Sequence, residues 1–186
     1  MRIFFILLAI ATIFNCKAQK SDYNLSEEEY SVVNAVLDSY SLNSFLLIDE
    51  NYTRNLNFAL DAYESWRKVF LEKGRVGGHV SRDMEWILDD EDVKFLSQKI
   101  KADTIRIKWD KSKMNPSEIL YASKHPELVT TTEVPRLGII HISKPYLNRD
   151  KTKAVVVIIR GGGYLVLVKK TDNGWKVCGK ILYQYS

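Results

Sequence analysis

Histidines, cysteines and clustered carboxylates are where this chain could do chemistry, and few of them stand at useful spacing. The three histidines, His79, His125 and His141, fall at no metal-ligand spacing. His141 lies between Ile140 and Ile142 in a run that alternates like a strand. Its side chain therefore points opposite to theirs, towards solvent or a cleft. Imidazole changes charge near neutral pH, which makes His141 the one candidate general acid or base. His79 follows Gly77-Gly78 and His125 precedes Pro126, so both read as exposed loop residues.

Carboxylates cluster at Asp89-Asp90-Glu91-Asp92, without the alternating acids and central glycine of a calcium loop. At the start of a helix they meet the positive end of its dipole instead. Gly161-Gly162-Gly163 lacks the Lys-Ser/Thr and the following helix of a phosphate loop, and reads as a turn. Neither a metal nor a cofactor is expected. Cys178 sits between Val177 and Gly179 in a strand-like run and reads as a buried thiol.

Cys16 belongs to a different kind of segment. Met1 and Arg2 are followed by an apolar run from Ile3 to Phe14, the length of a signal-peptide core and short of the roughly 20 residues that span a bilayer. Lipidation at Cys16 would leave an anchored protein, although Ile13, Phe14 and Asn15 depart from the Leu and small residues usual before a lipidated cysteine. A cut after Ala18 would leave a soluble one. Residues 1 to about 19 read as a signal segment and 20–186 as one α+β domain. The expected location is the periplasm or cell envelope, with membrane contact only through a lipid at Cys16, and Cys178 is left without a partner for a disulfide. The net charge of +4 is interspersed with acids along the chain, unlike the concentrated basic face of a nucleic-acid binder.

The elements that must position these residues divide the chain in two. Ser26 with Glu29 forms a capping-box pattern ahead of a stripe of Tyr30, Val33, Leu37 and Tyr40. Leu46 to Ile48 form a short apolar patch. A second helix is predicted over 56–72, where Ala59, Tyr63, Trp66 and Phe70 keep helical period before Gly74. Further helix is predicted after Ser81, through Met84, Ile87 and Leu88 and then through Val93, Leu96 and Ile100. The period then changes to 2, predicting strands over 104–109, 137–143, 154–160, 164–169 and 175–185. Asp172-Asn173-Gly174 is a hairpin signal in which both central residues of a type I′ turn would take positive φ. The expected fold is α+β, with N-terminal helices packed on a curved C-terminal antiparallel sheet. Tyr164, Trp175, Tyr183 and Tyr185 are expected to fill the sheet–helix interface.

Ile142-Ser143-Lys144-Pro145, the run Asp150 to Val157, Gly161-Gly162-Gly163-Tyr164-Leu165 and Asn173-Gly174-Trp175-Lys176-Val177 together resemble the closing segment of a group of exported Bacteroidetes-type proteins. Their order is similar to the cone-shaped fold of nuclear transport factor 2-like proteins. The resemblance implies that fold but no assigned activity.

Three function classes follow. The first is a binding or interaction protein of the cell envelope, with a protein partner or a small ligand. The second is a small nuclear transport factor 2-like enzyme in which His141 and a carboxylate act as acid and base. The third is an apolar-ligand carrier using the same pocket between helices and sheet. An enzyme needs titratable groups converging in a cavity, a carrier a large apolar cavity, and an interaction module an exposed apolar patch.

Overall fold

The computed structural model describes residues 24–40, 45–54, 56–115, 119–127 and 138–185; the expected signal segment and Cys16 lie outside them. Ser26 starts α1 (Glu27–Asp38) through the capping box expected of it: its hydroxyl accepts from Glu29 N–H and Glu29 accepts from Ser26 N–H at 2.8 Å. α2 (Leu56–Lys73) runs as its apolar period requires. α3 (Asp90–Ala102) begins only at the acidic cluster, because Asp89 takes an extended backbone and accepts from Asp92 N–H at 2.8 Å as the cap.

The helix expected through Met84 to Leu88 is not formed. That segment lies against a sheet edge, with Ser81 N–H on Lys180 O at 3.0 Å and Glu85 N–H on Cys178 O at 2.9 Å. A strand edge with unsatisfied backbone groups outcompetes the local helical tendency. Gly179, at a φ of 152°, permits the close approach of Met84.

The strands are β1 (Phe45–Leu47), β2 (Ile119–Tyr121), β3 (Ile139–Ile142), β4 (Tyr146–Leu147), β5 (Lys153–Ile159), β6 (Gly162–Thr171) and β7 (Gly174–Tyr185). They form one sheet in the order β2-β1-β3-β5-β6-β7, with β4 also paired to β5. The sheet is mixed rather than wholly antiparallel, since β1 runs parallel to both β2 and β3. The Leu46 patch is thus an inner strand. Residues 104–109 contribute only a bridge between Lys108 and Glu50, because the Asn51 side chain intercepts Ile107 N–H at 2.8 Å. In the β6–β7 hairpin Gly174 takes positive φ (106°) and Asn173 does not, so the turn is not type I′. A left-handed glycine after the loop residues matches the bulged hairpin class instead.

Helices pack on the sheet as expected, and they cover both of its faces. Val32, Val33 and Val36 of α1 share a core with Val156, Ile158, Val166 and Val168. Ala59, Leu60 and Tyr63 of α2 and Leu96 of α3 share another with Val155, Val157, Leu165 and Leu167. Burial on both faces is why β5 reads as an unbroken apolar run.

One irregularity controls which residues face which core. Ile142 pairs with Ile158 and Tyr146 with Val155, so Ser143, Lys144 and Pro145 stand opposite only Val156 and Val157. This β-bulge inverts the alternation. Ile142 faces the α1 core, yet Tyr146, four positions on, faces the α2–α3 core. Ser143 repairs the ladder with its side chain: its N–H donates to Val157 O at 2.8 Å and its hydroxyl accepts from Val157 N–H at 2.9 Å. Ser143→Ala leaves that buried N–H without an acceptor and is expected to cost about 1–3 kcal/mol in urea unfolding. An unchanged midpoint would show that the hydroxyl is dispensable.

Candidate functional site

His141 is half-buried on the α2–α3 side of β3, paired across the ladder with Ile159. The chain leading into α2 folds over it, because Tyr52 N–H donates to Ile142 O at 2.7 Å and Asn51 N–H to Ile107 O at 3.1 Å. The Tyr52 ring meets the imidazole edge-on, with centroids 6.2 Å apart. Between them opens a cleft of about 300 Å³ walled by Glu50, Tyr52, Thr53, Arg54, Arg106 and His141. Burial first, and then the Arg54 charge, lowers the pKa of His141 below 6.5, which favours neutral imidazole. Among the described residues no carboxylate is hydrogen-bonded to His141, so the acid–base pair demanded of an enzyme is not assembled around it.

The remaining sequence candidates are held by structural partners. His79 is half-buried and stacks on Trp66, with centroids 5.5 Å apart, rather than standing free in a loop. His125 Nδ1 lies 3.2 Å from Glu127 Oε1. Asp89 and Asp92 cap α3, and Asp92 also accepts from Asn148 at 2.9 Å and Lys153 at 2.7 Å. Among the described residues no group of three or more His, Cys, Asp or Glu could hold a metal ion. Cys178 is buried, and burial pushes its thiol pKa up. Of the aromatics expected at the interface, Trp175 packs against the α1 core and Tyr183 against the α2–α3 core, whereas half-buried Tyr164 belongs to neither cluster and the Tyr185 side chain lies outside the described residues.

Two clusters went unread in the sequence. Lys144, turned inward at the bulge, is 9% exposed in its side chain and pairs at 2.7 Å with Asp103, 6% exposed, at the end of α3. Asp103 also accepts from Tyr146 OH at 2.9 Å and Ile105 N–H at 3.0 Å. Burial alone would raise the carboxyl pKa; the bonds from Lys144, Ile105 and Tyr146 outweigh it and hold the group below its ordinary value. The lysine is thereby committed to structure.

The second cluster is a groove of about 390 Å³ beyond the C-terminal end of α2, lined by Phe70, Val76, Met84, Trp86, Arg75 and Arg82. Phe70 and Trp86 lie with centroids 5.5 Å apart, and Tyr63 supports Trp86 from below at 5.4 Å. Phe70 is 36% and neighbouring Leu71 71% exposed. Arg75 and Arg82 are exposed, and neither forms an ion pair among the described residues.

No family model, curated protein or solved structure matches the chain. The clefts are therefore read on their own chemistry. No helix among the described residues is long and apolar enough to cross a membrane.

Because folding lowers the His141 pKa, the native state binds fewer protons at this site than the unfolded chain. Stability is then undiminished above an unfolded value near 6.5 and is lost as pH falls through the lower folded value. An NMR titration of the ring is expected to give a midpoint below 6.5, and His141→Gln to flatten this part of the stability profile. A midpoint at or above 6.5 would contradict the burial described here.

Proposed function

We propose that this chain is an exported, non-catalytic binding protein of the cell envelope, and that the Trp86 groove receives an acidic polypeptide segment carrying an apolar anchor. The observation that carries this reading is an open aromatic floor, Phe70 and Trp86, rimmed by Arg75 and Arg82 with no carboxylate paired to either among the described residues. Aromatic and arginine side chains supply much of the energy at protein interfaces. Guanidinium groups bind carboxylates through two parallel hydrogen bonds, which selects an acidic partner. Export is supported by the charged and apolar start of the chain.

The resemblance to nuclear transport factor 2-like proteins draws support from the β5–β7 meander and its glycine-rich turn. Under that resemblance an enzyme or carrier would use space between helices and sheet. Here Leu60, Tyr63 and Leu96 pack into Val157 and Leu165 on the α2–α3 side.

The test uses the chain without residues 1–19 and two fluorescein-labelled peptides of equal length, one alternating Asp and Phe, the other Lys and Phe. Fluorescence anisotropy is expected to show the acidic peptide binding at least about tenfold more tightly, with the Arg75→Ala, Arg82→Ala double variant losing about that factor, equivalent to about 1.4 kcal/mol. Equal binding of the two peptides, or an acidic peptide insensitive to the double variant, would sink the reading.

A further inference from the structure

We propose that the His141 cleft is a second, separate binding site, which takes a small molecule through its oxyanion group, a carboxylate or a phosphate. Three different parts of the fold deliver its polar groups. Arg54 comes from the lead-in to α2, Arg106 from the extended segment after α3, and His141 from β3 in the interior of the sheet. Neither guanidinium has an ion pair among the described residues, and the imidazole has no hydrogen bond there. Two arginines without an ion pair among the described residues, lining one cleft with an imidazole, form a donor set suited to an acceptor-only group.

The walls are fixed independently of any ligand. Asn51 spends its side chain on Ile107 N–H at 2.8 Å and Ile105 O at 3.4 Å, which ties the Arg54 segment to the Arg106 segment. Tyr52 is pinned by its N–H on Ile142 O at 2.7 Å and closes the cleft with its ring edge against His141. Such prior fixing lowers the ordering cost of binding. Among the described residues Glu50 is the one carboxylate in the lining, so the two arginines leave an excess of positive charge there. In either protonation state the imidazole has at least one ring N–H to donate. A volume of about 300 Å³ is at the small end for ligand sites, which fits a small molecule rather than a polymer.

The experiment follows the ring resonances of His141 and Tyr52 in the chain without residues 1–19. Inorganic phosphate and sodium acetate are titrated separately at constant ionic strength set with sodium chloride. Saturable shifts at both rings are expected from at least one probe: phosphate alone would assign a phosphorylated ligand, acetate alone a carboxylate, and both an oxyanion site indifferent to geometry.

The Arg54→Ala, Arg106→Ala double variant is expected to weaken that binding about tenfold or more, and Glu50→Gln to strengthen it. These side chains reach solvent, so the variants should fold, and the dispersion of the amide spectrum checks that they do. The Arg75→Ala, Arg82→Ala variant of the Trp86 groove is expected to leave it unchanged, so this site stands or falls apart from the peptide groove. Shifts no larger than those of chloride, or a double variant that binds as the parent does, would overturn the proposal.

Discussion

A lysine folded into the interior sets the terms for the rest of this molecule. Lys144 can be buried only because Asp103 meets it at 2.7 Å and because Tyr146 OH and Ile105 N–H satisfy the remaining carboxylate capacity. An ammonium or carboxylate withdrawn from water without such partners costs several kcal/mol, about enough to cancel much of a small domain's stability. The pair also joins distant parts of the chain. Asp103 ends α3, and Lys144 sits in the bulge where β3 gives way to β4. β3 is in turn the strand through which the parallel β1–β2 pair reaches the antiparallel β5–β7 meander. Closing the bulge would reverse the facing of Tyr146 and Leu147, driving a hydroxyl into the α1 core and separating it from Asp103.

With that parity in place, each sheet face fills with its own helices. α1 completes one core, α2 and α3 the other, and Val155 to Ile158 are consumed alternately by the two. The recognition we propose then falls to the rims, where elements end and loops cross. The Trp86 groove lies between the end of α2 and the connection that follows it, and the His141 cleft where the chain between β1 and α2 crosses β3. Both rims carry a pair of arginines: Arg75 and Arg82 lie seven residues apart in the connection between α2 and α3, whereas Arg54 and Arg106 come from separate segments that folding brings to one cleft.

What was legible in the sequence was local. Ser26 and Glu29 announce α1 because both halves of the capping box lie within one turn, and the apolar period from Leu56 to Phe70 announces α2. The strands of the meander are equally plain. Met84 to Leu88 misled because their apolar spacing fits a helix, whereas Glu85 N–H goes to Cys178 O in β7, more than ninety residues later, and Leu88 N–H goes to the Tyr63 hydroxyl. The segment from Thr104 to Trp109 misled because its backbone pairing stops at residues 49–51, where the Asn51 side chain takes Ile107 N–H. The unbroken apolar run of β5 did carry the signal for two covered faces. Lys144 and Asp103, like Arg54 and Arg106, carried none, since their meeting depends on a bulge and a chain crossing that no spacing encodes. His141 was found by residue type, and its orientation by alternation; its want of an acid partner is a property of the folded chain.

The most direct measurement of the dependence on the Lys144–Asp103 pair is a double-mutant cycle in urea unfolding, with Lys144→Met, Asp103→Asn and the two combined. Each single change leaves a buried charge alone and should cost about 3–5 kcal/mol, whereas the combined variant, with no charge left to desolvate, should cost far less than their sum. Strict additivity, or single variants as stable as the parent, would contradict the claim that this buried pair holds the sheet and α3 together.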